Sequence, residues 1–401
     1  MPTLLIISQT LPPRPAAGTR RLRYLAEQAL NNYDRVFAIQ LDRGYAGETI
    51  PGVVTTVLPA RDLRAAVSPD SPAGTVAKSG EPRWKAHLRH LRHSFPLVWF
   101  FDDGGPIYRR KAFVRACQLV EEEGITHLLS SFRPYSDHLV AKRLKARYPH
   151  LHWVADFRDL PVDPIRQDVW SPNLQTWWGK RVIAAADEVW CVSRGQRAQL
   201  RGWHSNIKVR YNPLLTLPPA STAPVSDQFT IVHTGSVYPG LQSAEPLVQV
   251  LSKLLAEGAV QPHQLCIKYR GKDGGVFQKM MRGLPQECLD IQPSIAPAAA
   301  QKMQREAQVL LMMNWSAPNY YGVLTAKLWD YLATGRPILA LVNGPGDVEL
   351  NEIITGAAAG ATFGNDNGPT LKTFVSNLIN TWKQQNSVPW TVNVEFLKKY
   401  R

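Results

Sequence analysis

The apolar positions of the chain fall in short runs, and between the runs they recur at helical spacing. TLLIIS near the start is a strand-length run, and the AGTRRLRYLAEQAL that follows puts Leu22, Leu25, Ala29 and Leu30 on one helical face. RVFAIQL at 35–41 reads as the next strand. THLLSS (126–131) and LHWVADF (151–157) are further runs, separated by the helical SDHLVAKRLKARY, and DEVWCVS (187–193) comes after them. Alternation of strand and helix of this kind predicts a parallel, doubly wound α/β sheet.

At 213–226 the pattern gives way to PLLTLPPASTAPVS, whose four prolines and small polar residues predict a semi-extended linker. A second alternating series then begins. It contains FTIVHTGS, a helix near 244–257, QLCIKYRG, CLDIQPSI, a helix near 297–306, VLLMMNW, a helix at 325–335, the strand PILALV and a helix near 369–385. Two α/β domains are expected, 1–212 and 227–385, with the tail 386–401 packing back on the first. Residues 60–115 are less regular. There Trp84, Leu88, Leu91 and Phe95 share a helical face flanked by Arg83, Lys85, Arg89 and Arg92. Such a basic amphipathic segment suits a membrane interface or an ordinary packed surface.

Charge sharpens this picture. The net charge is +14, and residues 1–212 carry 31 basic against 19 acidic side chains, whereas the remainder carries 15 against 13. The first half therefore faces a negative partner: anionic lipid, nucleic acid or a phosphorylated acceptor. Aromatic-rich RNA motifs, zinc spacings and recognition-helix patterns are absent, which argues against nucleic acid. MPTLLIISQT lacks the basic start and long apolar run of a signal peptide, and no run reaches membrane-span length. Cys117, Cys191, Cys266 and Cys288 lie far apart without a C-x-x-C pair and read as reduced core residues of a cytoplasmic protein.

Two segments carry candidate chemistry. In IVHTGSVYPG (231–240) a strand ends at Gly235-Ser236 and turns, so backbone N–H groups can meet an anion. The same joint also occurs for packing alone. In GVLTAKLWDYLATGRPILALV (322–342), Thr325 can cap a helix whose first N–H groups face a phosphate, Lys327 adds a positive charge, and Gly335 ends the helix.

The string KLWDYLATGRPILA closely resembles the donor-site signature of retaining glycosyltransferases of the family-4 type. That family has the GT-B fold, two Rossmann-like doubly wound domains facing across a cleft. SSFRPYSDHLVAKRLK and WVADFRDLPVDP are similar to the family's acceptor domain, and PPRPAAGTRRLRYLAEQAL to its first loop. The resemblance spans both halves and is poorest at 45–115. It implies that Asp330 holds the nucleotide ribose and that Thr325 and Ala326 present N–H groups to a diphosphate. Gly235, Ser236 and Tyr238 then line the pocket, Gly18 approaches it from the first domain, and Ser294 and Ile295 lie at the base. Two positions depart from the family pattern. Gly322 stands where a sugar-reading Glu is usual, and Leu241 where a diphosphate-gripping Arg is common. Arg270, Lys272 or Lys327 is then expected to supply the missing cation.

Asp156, Asp159 and Arg133 are the expected acceptor contacts, with local capping and pairing to Arg158 as the alternative for the two acids. Retaining enzymes of this fold work without a dedicated base, so neither metal nor cofactor is expected. The nearest histidines, His138 and His233, read as structural. The expected partners are a nucleoside-diphosphate sugar and a lipid-linked or saccharide acceptor at the inner face of an anionic membrane. A nucleotide-sugar epimerase, a degenerate GT-B scaffold and a nucleic-acid binder are the rival readings.

Overall fold

The computed structural model describes residues 2–14, 17–42, 47–59, 105–133, 135–165 and 169–401, with isolated positions 44, 45, 91, 94, 96 and 97. The basic amphipathic segment at 83–95 falls largely outside the described residues. The chain divides into two units, Met1–Tyr211 and Asn212–Arg401.

The first unit contains β1 (Thr3–Ile7), α1 (Ala17–Ala29), β2 (Arg35–Leu41), β3 (Val53–Leu58), α2 (Gly105–Glu123), β4 (His127–Phe132), α3 (Tyr135–Arg147), β5 (His152–Phe157), α4 (Pro172–Ile183), β6 (Glu188–Cys191), α5 (Arg194–Leu200) and β7 (Ile207–Val209). Among the described residues its seven strands are parallel and run in the order β3-β2-β1-β4-β5-β6-β7. The order reverses direction between β1 and β4, which makes their carboxyl ends the topological switch point. Leu4 and Ile6 from β1, Leu22 and Ala26 from α1, and Val36 and Ala38 from β2 form one apolar layer of this unit.

In the second unit β8 (Ser221–Thr222) precedes β9 (Phe229–Thr234), α6 (Glu245–Ala256), β10 (Leu265–Arg270), α7 (Gly274–Met280), β11 (Leu289–Gln292), α8 (Pro297–Glu306), β12 (Val309–Trp315), α9 (Ala326–Leu332), β13 (Ile338–Asn343), α10 (Val348–Gly356), β14 (Gly360–Phe363), α11 (Gly368–Gln385), β15 (Trp390–Thr391) and α12 (Val394–Leu397). Its main sheet has the order β11-β10-β9-β12-β13-β14, all parallel, with the switch point between β9 and β12. Every residue of β9 and β12 is buried, as strands covered on both faces must be.

The proline-rich segment is more than a spacer. Its β8 pairs with β15 of the tail, antiparallel. The tail 386–401 is part of the second unit. Leu397 is buried, the Tyr400 ring lies 5.1 Å from Trp329, and Leu214 N–H donates to the Tyr400 carbonyl at 2.8 Å. Phe396 occupies the space in which a side chain at Gly356 would stand. The four cysteines are free and buried. Among the described residues no helix is long and apolar enough to cross a membrane.

Arg336, wholly buried, ties these pieces together. Its guanidinium donates to the carbonyls of Ala307 (2.7 Å), Thr222 (3.0 Å), Gln308 (2.9 Å) and Val388 (2.9 Å), and to Thr222 Oγ1 (2.9 Å). Linker, sheet and tail thus converge on one cation, whose pKa burial pulls down to about 10. Charge-assisted bonds of this kind are worth about 1.5–3 kcal/mol each, and an apolar replacement leaves buried carbonyls without donors. Arg336→Met is therefore expected to destabilise the second unit by about 3 kcal/mol or more, lowering its Tm by roughly 10 °C. Calorimetry resolving the second unit's transition checks this.

Candidate functional site

The two candidate segments of the second unit meet at its switch point. β9 ends at Thr234, and Gly235 takes a positive φ of 92° that a side chain would resist. Its N–H donates to the Arg270 carbonyl (2.8 Å), and Val237 N–H to Asp273 Oδ2 (3.0 Å), so the turn is stitched to the loop after β10. From the other side comes α9. Tyr331 Oη accepts from Thr234 N–H at 3.0 Å, and Lys327 Nζ donates to the Ser236 carbonyl at 2.5 Å. A Cβ at Gly235 would stand 3.0 Å from Lys327 Cε. Glycine is required here partly to admit the lysine stem.

Of the three candidate cations, Lys327 is the one in contact with the Gly235-Ser236 turn. Burial lowers its pKa to about 8, against the opposing influence of Asp273. An ammonium has three donors and Ser236 uses one. Asp330 stands one turn further along α9, half-buried. The other two candidate cations are placed differently. Arg270 is bound to Asp290 through Nη1 (3.1 Å) and Nη2 (2.7 Å) and also donates to two carbonyls, so its charge is spent within the sheet edge. Lys272 is exposed on the loop after β10. Ser294 is exposed and Ile295 half-buried on the loop after β11. Tyr238 packs edge-on against Trp315, with ring centroids 5.3 Å apart.

Thr325 behaves otherwise than its position suggests. It precedes α9, yet its side chain makes no capping bond and its N–H turns back to the Val323 carbonyl (3.2 Å). Its N–H is thus already engaged. Ala326 is the first residue of α9 and half-buried. Gly322 has φ 73°, and its N–H donates to Asp347 Oδ2 at 2.8 Å. The same oxygen accepts from Val323 N–H (3.3 Å), while Oδ1 caps α10 through Glu349 N–H (3.1 Å) and Leu350 N–H (3.0 Å). Burial raises the Asp347 pKa, with the N–H donors opposing. Nothing in the motif string signals Asp347, which lies on the far side of β13.

In the first unit the expected acceptor contacts separate. Asp156 is fully buried in an ion pair with Arg21 (2.6 Å), and its Oδ2 also accepts from Ser131 Oγ (2.9 Å). The remaining Arg21 donors hold the carbonyls of Arg210 (2.8 Å) and Tyr211 (3.1 Å). Asp156 therefore anchors α1 and the end of the unit to β5, and it cannot touch an acceptor as placed. Asp159 is 53% exposed and sits 3.8 Å from Arg158 Nε. The Arg133 guanidinium lies 5.6 Å from the Phe132 ring centroid. Gly18 is likewise not open. A Cβ there would fall on the Arg158 guanidinium.

Both histidines are fully buried. His233 is buried and stacked on Tyr269 and Phe277, with Nδ1 2.8 Å from the Leu311 carbonyl. His138 Nδ1 pairs with Ser130 Oγ at 2.8 Å. Burial takes both pKa values down to about 3, so neither carries charge near neutrality. Among the described residues no group of three His, Cys, Asp or Glu side chains is arranged to hold a metal ion.

No family model matches the sequence, and no curated protein does either. Solved structures do. A sucrose-phosphate synthase from Thermosynechococcus elongatus superposes with a TM-score of 0.59 at 14% identity, covering 100% of this chain and 95% of its own. TarM gives 0.57 at 9% identity, with 100% and 95% covered. The lipopolysaccharide outer core galactosyltransferase WaaB gives 0.54 at 10% identity, with 99% and 94% covered. The match runs the full length of both Rossmann-ordered units. The fold is GT-B. Identities this low show the GT-B architecture and leave the substrates to the residues themselves.

Tyr331 is the joint between the two segments of the GT-B second unit. Tyr331→Phe removes the acceptor of a buried backbone N–H, so a loss of about 1–3 kcal/mol is expected. Urea denaturation of wild type and variant measures it.

Proposed function

We propose that the protein is a glycosyltransferase that moves a sugar from a nucleoside-diphosphate donor to a saccharide or lipid-linked acceptor, with retention of configuration. The observation that carries the reading is the contact of Lys327 with the Gly235-Ser236 turn at the switch point of the second unit. Ligands of open α/β sheets gather there. Lys327 faces the leaving diphosphate with its two remaining donors, and Ala326 N–H and the Gly235 turn complete the cradle. Asp330, a turn away, takes the ribose hydroxyls. The loop bearing Ser294 and Ile295, two strands along the same edge, takes the base. Lys272 lies on the loop between and adds positive field.

Catalysis in this reading rests on charge stabilisation of the departing diphosphate and on orientation of the acceptor hydroxyl. The departing oxygen takes the acceptor proton, so neither buried histidine is needed. The neighbours lend support in kind. A TarM variant was solved with UDP and α-GlcNAc-glycerol, and it matches this chain with a TM-score of 0.55. The excess of basic residues in the first half suits a phosphorylated acceptor or peripheral attachment at an anionic membrane face on the cytoplasmic side.

A thermal-shift panel of UDP, GDP, ADP and CMP tests the donor site, since a ligand of the folded state raises its apparent stability. At least one nucleotide is expected to shift wild type, with Asp330→Ala and Lys327→Met losing most of the shift. A flat response to all four would leave a GT-B scaffold without a donor site.

The pH dependence is a separate check. The free-protein pKa of Lys327 is lowered to about 8, and a bound diphosphate favours the ammonium and raises it. Binding therefore takes up a proton above pH 8, and affinity falls as pH rises, by up to about tenfold per unit. Titrations between pH 7 and 9.5, where phosphate groups are already ionised, should show this slope in wild type and a flatter profile in Lys327→Met.

A further inference from the structure

In the first unit α2 packs on α3 and α3 on α4, so the three helices lie side by side. The inner side of α2 buries Tyr108, Ala112, Ala116 and Leu119, as an amphipathic helix should. Its outer side departs from that pattern. Ile107, Arg110, Lys111 and Val114, at i, i+3, i+4 and i+7, form one exposed stripe. Ile107 is 59% and Val114 51% exposed, so the helix presents aliphatic side chains to solvent on the side away from its core. The mixture recurs on α4. Trp177 is 49% exposed, and Lys180 and Arg181, three and four residues on, share its face. The Arg181 guanidinium lies 4.2 Å from the Trp177 ring centroid. Between these two helices, Arg143 of α3 lies 4.1 Å over the Phe113 ring of α2, and Lys142 Nζ of α3 donates to the Arg181 carbonyl at 2.6 Å.

Charge on this surface is unbalanced. The acids of α2 stand at its far end, where Glu121 meets Arg147, Glu122 meets Arg115 and Glu123 meets Arg35. Arg110, Lys111, Arg143, Lys180 and Arg181 make no ion pair among the described residues. Cations and apolar side chains are thus interleaved with no acid between them, and that combination selects a partner. A second copy of the chain would set like charges against each other across a two-fold contact. A polar glycan offers Ile107 and Val114 no apolar phase in which to be buried. The interface of an anionic bilayer meets both requirements. Aliphatic and indole groups enter the headgroup boundary, and the lysine and arginine stems follow while their charged ends stay at the phosphates.

We infer that the outer surface of α2, α3 and α4 is a docking surface for an anionic lipid bilayer. Helices of a parallel sheet start at its carboxyl edge, so the basic and apolar first half of α2 lies toward the edge where ligands of such sheets gather. A lipid-borne acceptor then reaches the first unit from the bilayer, and this consequence alone rests on the transferase reading.

The test is flotation of the full chain with vesicles of phosphatidylcholine, with or without phosphatidylglycerol, and no nucleotide present. Binding is expected only where phosphatidylglycerol is included, and it should weaken as salt is raised. Ile107→Ser with Trp177→Ser removes apolar area and no charge. Arg110→Gln, Lys111→Gln and Arg181→Gln together remove charge and no aliphatic or aromatic residue. Each set is expected to weaken partitioning by at least about tenfold. Arg282→Gln, Lys302→Gln and Lys383→Gln remove the same charge from the exposed surface of the second unit and should leave most of the binding. All these side chains are solvent-exposed, so melting curves should stay near wild type and show that lost binding is not lost folding. The inference is overturned if neither vesicle is bound, if either first-unit set binds as wild type does, or if the second-unit set loses as much as they do. Self-association abolished by the same substitutions, without vesicle binding, would give the surface to a second copy and overturn it as well. Nucleotide responses are measured separately, so a failed donor site leaves the docking result standing, and the reverse also holds.

Discussion

A guanidinium surrounded by carbonyls and lacking any carboxylate holds the second unit in shape. Arg336 reaches the start of β12, the linker strand β8 and the tail at Val388 at once. Carbonyl dipoles suit a buried arginine because five donors can be met without burying a second charge. The consequence reaches the candidate site. Arg336 follows α9 by a short turn through Gly335, itself packed under Pro219 and Thr222 of the linker. The position of α9, and with it Lys327 and Asp330, therefore depends on where the linker and tail are tied. The KLWDYLATGRPILA string is thus an architectural element as well as part of the candidate site.

How much of this the sequence discloses depends on how local each interaction is. β1, β2, β12 and β13 are legible because runs such as VLLMMNW are apolar at nearly every position. β3 is not, since VVTTVL has two threonines and a partly exposed pattern. Helix α2 is hidden by its charges, with RRK near its start and EEE at its end around scattered buried positions. At the site, the meeting of the Gly235 turn with α9 follows from the order of strands in a doubly wound sheet. The Asp156–Arg21 pair does not follow, because its partners are 135 residues apart and either could have faced a substrate. The spent charge of Arg270 depends likewise on Asp290 of a neighbouring strand.

Both units put a cation over a glycine at the carboxyl edge of the sheet, Arg158 on Gly18 and Lys327 on Gly235. On the sequence alone these glycines look like space left for a ligand's close approach. In the folded chain the space is filled by a basic side chain of the same unit. The glycine then acts at one remove, by permitting a charge to stand where backbone and solvent meet. Substituting alanine would be felt as electrostatics as well as sterics.

Asp347 carries a consequence of a different order. Its carboxylate joins the loop at Gly322 to the cap of α10, and Gly322 has a positive φ that non-glycine residues adopt only at a cost of roughly 1–2 kcal/mol. An acidic side chain placed at 322 would inherit that strain and set its charge near a buried carboxylate. A glutamate at this position would therefore be better tolerated together with a change at Asp347. In this chain the backbone at 322 and the carboxylate at 347 are one mechanical unit, and a change at either is felt at the cap of α10.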